Sequence, residues 1–192
     1  MTLVMAFIGE NGAVMAGDMR EITFLGDPVS TGKLEQELYS GLIATDEDLA
    51  RRAGELGVKI RIRDDKVKVT EEGGVLVGEV TSLEAGLLRK RRVYASAGSY
   101  AIIDLEGERT TPRGRGRAAS FVVLGNERTK AIANRCIQEM WRDGTLKDAV
   151  EVIVKAMEAA SRATASVSKS FIIVRTDRRV DLRRVMGDQG PG

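Results

Sequence analysis

Thr2-Leu-Val-Met-Ala-Phe-Ile-Gly9 and Ala13-Val-Met-Ala-Gly-Asp18 are two apolar segments, separated by Glu10-Asn11-Gly12. Asn-Gly between apolar segments is the strongest short-range signal for a β-hairpin, because both residues accept positive φ. We therefore predict that the fold begins with a buried hairpin over residues 2–9 and 13–19.

Thr2 is a candidate nucleophile. An initiator methionine is usually excised before a small residue, so we expect Met1 to be removed and the mature chain to begin with Thr2. An α-amine has a pKa of about 8, and its neutral fraction can activate the hydroxyl of the same threonine. The alternative is that Thr2 only begins a strand, and the residue alone favours that alternative.

The composition excludes most other catalytic classes. The chain of 192 residues has no histidine and a single cysteine, so Ser-His, Cys-His, His-metal and thiolate zinc sites are not expected. Cys136 falls in a helical pattern and is interpreted as a buried small hydrophobe. A catalytic base must then be a lysine, a carboxylate or an amine. We expect no metal and no cofactor.

The spacing after the hairpin resembles that of proteasome β-subunits, a branch of the N-terminal-nucleophile hydrolases. Asp18 ends the second segment, Arg20 follows, Lys33 comes fifteen residues after Asp18, and Gly41 precedes a helical pattern. Several strings narrow the resemblance to connectase, an archaeal protein ligase related to these subunits. They are Phe-Ile-Gly-x-Asn-Gly-Ala-Val-Met-Ala-Gly-Asp-Met-Arg-Glu-Ile-Thr-Phe, Gly74-Val-Leu-Val-Gly-Glu-Val, Val93-Tyr-Ala-Ser-Ala-Gly and Thr164-Ala-Ser-Val-Ser-Lys.

The resemblance implies roles for residues around Thr2. Asp18 would pair with Lys33 and with the terminal amine, and Lys33 would polarise the hydroxyl. Arg20 would order the active-site turn, and we take it as a candidate for substrate binding. Without the resemblance, Asp18 could end a hairpin and Lys33 could be an ordinary solvated lysine.

Two further residues complete the site that the resemblance implies. Gly41 matches the family glycine whose backbone N–H stabilises an oxyanion, although a β-bulge would also explain a glycine there. Ser166 matches a family serine near the terminal amine. The resemblance also implies that the Asp that precedes this serine in the family is replaced here by Ala163.

We predict an α+β fold, a four-layer αββα sandwich of the proteasome-like N-terminal-nucleophile type. Residues 1–192 are expected to form one domain, with 186–192 as a flexible tail. Capping residues and periodicity predict helices from Thr45 to Gly57, from Asn126 to Trp141 and from Thr145 to about Thr164. The pattern also predicts a strand pair over 33–43, although 37–39 could be helical, a hairpin over 58–63 and 66–70, and strands over 120–125 and 170–175. Residues 178–186 are expected to add a strand or a short helix.

The connectase resemblance implies a sequence-specific ligase that breaks and re-forms the Asp–Pro bond of a Lys-Asp-Pro-Gly-Ala motif through an acyl intermediate on Thr2. Its implied partner is the A subunit of the methanogen methyltransferase complex. A plain threonine peptidase and a non-catalytic assembly module remain alternatives. Arg89-Lys-Arg-Arg92 and Arg113-Gly-Arg-Gly-Arg117 could dock an acidic partner or could be solvated loops.

The remaining expectations concern partners and compartment. A net charge of +2 and 4% aromatic residues do not favour nucleic-acid binding. No apolar run is long enough to span a membrane, and the apolar start lacks the basic segment of a signal peptide. Together with the lone cysteine, this leads us to expect a cytoplasmic protein. The resemblance adds an expectation about assembly: since the helices through which proteasome subunits stack are replaced here, we expect a monomer or a small oligomer.

Overall fold

A computed structural model describes residues 3–84, 87–107, 109–117, 119–142 and 144–185, with the side chains of 82–88 excluded. The strands are β1 Val4–Gly9, β2 Gly12–Asp18, β3 Glu21–Leu25, β4 Lys59–Arg63, β5 Val69–Glu72, β6 Val75–Glu84, β7 Leu87–Ser96, β8 Ser99–Glu106, β9 Arg109–Arg117, β10 Ser120–Leu124 and β11 Phe171–Thr176. The helices are α1 Pro28–Ser40, α2 Asp46–Glu55, α3 Glu127–Met140, α4 Leu146–Ala163 and α5 Leu182–Val185.

The predicted hairpin is confirmed over its described part. β1 and β2 pair antiparallel from Val4–Gly17 to Gly9–Gly12, so that Glu10-Asn11 forms the turn. β10 pairs with β1 on one side and β11 pairs with β2 on the other, which gives a four-stranded antiparallel sheet with the hairpin at its centre. Nearly every residue of the hairpin is buried, because the hairpin has a strand along each edge and is covered on both faces.

A hydrophobic core lies on each of the two faces of this hairpin. Leu3, Met5 and Phe7 pack with α3 and α4, and the ring of Phe7 contacts those of Phe121 and Trp141. Alternate residues such as Val4 and Ala6 point the other way and pack with the second, five-stranded sheet, β5-β6-β7-β8-β9. The observed layers are therefore helices, sheet, sheet.

The fourth layer of the predicted sandwich is not confirmed. The outer face of the five-stranded sheet is met, among the described residues, by Val180 and by Leu182 of the four-residue α5. The helices α1 and α2 instead pack on the small β3–β4 sheet through a separate core that includes Leu34, Leu38 and Leu49. The fold is thus mixed α/β with antiparallel sheets.

The strand pair predicted over 33–43 is wrong, because these residues lie mostly in α1. Asp27 caps this helix, since its carboxylate accepts the N–H of Ser30 at 2.8 Å, and Pro28 occupies the first turn, where its missing N–H costs nothing. The helix continues through Tyr39 to a left-handed Gly41.

The hairpin predicted over 58–63 and 66–70 is also wrong. β4 pairs with β3, and β5 pairs with β6, so no ladder joins β4 to β5. Residues 65–68 form a connection without regular secondary structure instead, and the N–H of Lys66 donates to the carbonyl oxygen of Met19 at 3.0 Å. This connection therefore runs beside the end of β2.

The other predicted helices and strands are confirmed to within a few residues. Thr45, Asn126 and Thr145 cap α2, α3 and α4 as expected, and Thr145 forms a full capping box with Asp148. Residues 178–186 contribute the short α5, while the tail predicted over 186–192 lies outside the described residues. No helix in the described part of the chain is long and apolar enough to cross a membrane.

Candidate active site

Asp18 is the centre of the candidate site. It is the last residue of β2, is fully buried, and accepts hydrogen bonds from Leu3 N at 2.8 Å and from Arg20 N at 2.8 Å. The N–H of Asp18 in turn donates to the Leu3 carbonyl oxygen at 3.1 Å. Burying an ionised carboxylate costs free energy unless the carboxylate is hydrogen-bonded and paired with an opposite charge. The two backbone donors supply hydrogen bonds but no opposite charge.

Lys68 supplies the missing charge. Its Nζ lies 2.9 Å from Asp18 Oδ1 and donates a second hydrogen bond to the Arg20 carbonyl oxygen at 2.5 Å, and its side chain is 7% exposed. Burial lowers the pKa of Lys68, and the neighbouring Asp18 carboxylate opposes this shift. Among the described residues, two of the three ammonium N–H groups thus have acceptors, and one remains for a further group.

Lys33 does not form the predicted pair with Asp18. It lies on the exposed face of α1, and the ion pair of Asp18 is made by Lys68. The pairing prediction is wrong because α1 replaces the predicted strands, which moves Lys33 onto a solvated helix surface. The sequence did not indicate Lys68 as the partner of Asp18. The alternation Lys66-Val-Lys-Val predicts that Lys68 faces solvent on a strand, whereas β5 begins only at Val69.

Arg20 holds the surrounding segments together. All five N–H donors of its guanidinium are used: they go to both oxygens of Asp64, both oxygens of Asp46 and the Ala165 carbonyl oxygen. These hydrogen bonds raise the pKa of Arg20 further above its usual value. Arg20 therefore joins three segments of the chain, and no donor is left over for the predicted contact with a substrate.

Gly41 is the C-cap of α1. Its φ of 84° is left-handed, and its N–H donates to the Leu38 carbonyl oxygen at 3.2 Å. A Cβ at this position would lie 2.9 Å from Cγ of Arg128. The N–H that the resemblance implies for an oxyanion is therefore engaged within the helix cap.

Ser166 is buried in the loop after α4. Its Oγ forms hydrogen bonds with Thr164 Oγ1 at 3.0 Å and with Asn126 Nδ2 at 3.4 Å. Ser168, which sequence reasoning missed, accepts the N–H of Met19 at 2.8 Å and so fixes the chain directly after Asp18. The repeated small hydroxyl residues in Thr164-Ala-Ser-Val-Ser-Lys were the only sequence signal for this contact.

Thr2, the predicted nucleophile, lies outside the described residues. Its covalent neighbour Leu3 is described, is buried, and is held to Asp18 by two backbone hydrogen bonds. Asp18, Lys68 and the first described residue of the chain are therefore brought together, whereas Lys33 is not.

A groove of about 1010 Å³ opens beside this cluster. Its lining includes Lys68 and Ser166, residues of α1 and β3 on one side, and the outer face of β6 and β7 on the other. Tyr39 lies in the α1 wall, where burial, the Glu35 carboxylate and a hydrogen bond to it raise the pKa of Tyr39. Its hydroxyl therefore stays protonated at neutral pH.

The basic segment 89–92 lies on β7 and is largely neutralised by neighbouring strands. Arg92 binds Glu79 at 2.5 Å, while Arg91 and Arg113 both bind Asp104, at 2.7 and 2.5 Å. Most of this segment is thus part of cross-strand ion pairs, and the interpretation of 89–92 as a solvated loop is wrong because these residues lie in a strand.

These features define a mixed α/β protein with a buried carboxylate–lysine pair next to its first strand. The chain belongs to the connectase family, since the family described as "Connectase MJ0548-like, N-terminal domain" matches residues 1–187.

Similar solved structures include Anbu (ancestral beta-subunit) from Yersinia bercovieri, with 10% identity and a TM-score of 0.43 over 91% of this chain and 81% of that chain. The helical assembly of the Anbu complex from Pseudomonas aeruginosa matches with 12% identity and a TM-score of 0.42 over 91% and 80% of the two chains. No curated protein sequence matches the chain.

Proposed function

We propose that this protein is a sequence-specific ligase that cleaves and re-forms a peptide bond through an acyl intermediate on Thr2, exposed by removal of Met1. The observation that carries the proposal is the buried Asp18–Lys68 pair, whose carboxylate also binds Leu3 N at 2.8 Å. Thr2 is attached to that nitrogen. Membership of the connectase family supports the same conclusion.

In the first proposed step, Thr2 Oγ attacks the carbonyl carbon of the aspartate in a substrate Asp–Pro bond. The hydroxyl proton passes to the α-amine of Thr2 and then to the leaving proline nitrogen, so that an ester forms and the amide breaks. The Lys68 ammonium, which Asp18 holds in a buried position, stabilises the negative charge that develops on the carbonyl oxygen of the attacked bond.

In the second step, the amine of an acceptor peptide attacks the ester carbonyl. The ester bond breaks, a new amide forms, and the proton of the amine returns to Thr2 Oγ through the α-amine. Water in place of the amine would give hydrolysis. Lys68 replaces Lys33 in this scheme, and Gly41 has no part in it.

The groove beside Lys68 is large enough for an extended peptide. We propose a protein substrate with a Lys-Asp-Pro-Gly-Ala motif, with the methyltransferase A subunit as partner, as the connectase resemblance implies. The protein would act in the cytoplasm as a monomer or a small oligomer.

The test incubates the protein with a peptide that contains Lys-Asp-Pro-Gly-Ala and with an excess of an acceptor peptide that begins with Pro-Gly-Ala. Mass spectrometry follows the exchanged peptide and the free acid, with Thr2→Ala as the control. We expect exchange without appreciable hydrolysis, and loss of both products in Thr2→Ala.

The two alternatives give different results. Free acid without exchange would identify a threonine peptidase and refute the ligase. Absence of both products for several motif peptides, together with retention of Met1, would favour a non-catalytic assembly module.

A further inference from the structure

A second cavity lies on the outer face of the five-stranded sheet, away from Lys68. It has a volume of about 320 Å³ and is bounded by the start of β8, by the end of β9 and by residues 180–183. Arg115, Arg117 and Arg183 line it. The cavity exists because α5 covers only part of this face.

The arginines of this cavity come from an unusually basic part of the chain. β9 contains four arginines and no carboxylate, and residues 177–184 add four arginines against two aspartates. The whole chain has a net charge of only +2. Three of these arginines, Arg115, Arg117 and Arg183, line the cavity, and one carboxylate, Asp181, lies there with them. The two segments together carry more positive charge than the whole chain, so the remaining residues have a net negative charge.

Two of the lining arginines have no counter-ion within the described part of the chain. Arg113, on the same strand, binds Asp104, and Arg184, on α5, lies 3.8 Å from Asp181. Between residues 3 and 185, as far as the structure describes them, no carboxylate pairs with Arg117 or Arg183. Guanidinium groups without counter-ions beside a cavity are suited to bidentate binding of a carboxylate.

The geometry of β9 indicates what form such a ligand takes. β9 is the terminal strand of its sheet, and Arg115 and Arg117, two residues apart, lie on one face. An extended acidic peptide that lies along this strand can place its carboxylates in the cavity that Arg117 and Arg183 line.

We propose that the cavity between β9 and residues 180–183 is a docking site for an extended acidic segment of a partner protein. The site is separate from the groove of the proposed ligase reaction, although Val180 borders both cavities. Nucleic acid fits less well, because the aromatic residue of the cavity, Tyr100, packs against Gly116 and against the core between the two sheets.

The test uses fluorescence anisotropy with a labelled peptide in which glutamate alternates with glycine. We expect binding by the full chain that weakens at least about tenfold in the Arg117→Glu/Arg183→Glu variant. The matched control is Arg135→Glu/Arg142→Glu, which changes the net charge equally at exposed positions on and after α3. We expect less than about a twofold change in the control, and unchanged thermal unfolding in both variants.

Four results would overturn the proposal. These are the absence of peptide binding, an equal loss in the control variant, tighter binding of a single-stranded oligonucleotide of the same charge that is lost in Arg117→Glu/Arg183→Glu, and self-association of the chain that the same variant abolishes. None of them bears on the exchange reaction, which is measured separately with the motif peptides.

Discussion

Replacing Lys68 by methionine removes the ammonium from the buried pair and keeps most of the side-chain volume. Asp18 then retains its two backbone donors but loses the charge 2.9 Å away, and the Arg20 carbonyl oxygen loses a donor. Removing one partner of a buried ion pair costs about 3–5 kcal/mol. Because two hydrogen bonds to Asp18 remain, we expect a loss of about 3 kcal/mol in the free energy of unfolding.

The same change is expected to lower the rate of peptide exchange by about 10²–10⁴-fold, the range typical of a removed catalytic side chain. The rate is measured with the motif peptides at a temperature at which denaturation curves show the variant to be folded. Lys33→Met is the matched control: since Lys33 is exposed on α1, we expect its stability to change by less than about 0.5 kcal/mol and its rate to be unaffected. An inactive Lys33→Met together with an active Lys68→Met would show that Lys33, and not Lys68, acts in the exchange reaction.

Three further predictions concern the framework around the site. Arg20→Met should destabilise the protein by about 3 kcal/mol in urea unfolding, since it leaves Asp46 and Asp64 without their donors. Arg20→Lys should not restore this loss, because one ammonium cannot make the five hydrogen bonds of the guanidinium. Full rescue by lysine would contradict the structural role given to these five hydrogen bonds. Gly41→Ala should cost about 1–2 kcal/mol at its left-handed φ, whereas Gly32→Ala in the interior of α1 should be neutral or stabilising, and equal effects would argue against the helix cap. Hydrogen bonds from Arg91 and Arg113 lower the pKa of Asp104 to about 2. The ionised carboxylate therefore contributes at most about 2 kcal/mol to the free energy of unfolding at pH 7. This contribution is fully present above about pH 4 and is lost as the pH falls towards 2. The stability difference between wild type and Asp104→Asn, measured by urea unfolding at several pH values, should shrink over that range, and a pH-independent difference would contradict it.

Local signals in the sequence predicted much of the fold. Asn11-Gly12 between apolar segments indicated the first hairpin, and Thr45, Asn126 and Thr145 indicated the starts of three helices, because these signals act over a few residues. The position of Asp18 followed from the same hairpin. Its burial also followed, since the hairpin lies between α3, α4 and a second sheet.

The partner of Asp18 could not be predicted in this way. Lys68 reaches Asp18 across 50 residues of sequence, and its approach depends on β4 pairing with β3 rather than with β5. Strand pairing is decided by tertiary packing, which the alternation of residues 58–70 does not encode. The same applies to Arg20, whose acceptors Asp46, Asp64 and Ala165 come from three separate segments.

The proposed reaction requires that the hydroxyl of an exposed Thr2 becomes acylated beside Asp18 and Lys68. Acylation is visible in the intact mass of the protein, measured before and after incubation with the Lys-Asp-Pro-Gly-Ala peptide. We expect a chain without Met1 that gains the mass of the acyl fragment, and no gain in Thr2→Ala. An active protein that retains Met1, or an adduct that persists in Thr2→Ala, would contradict it.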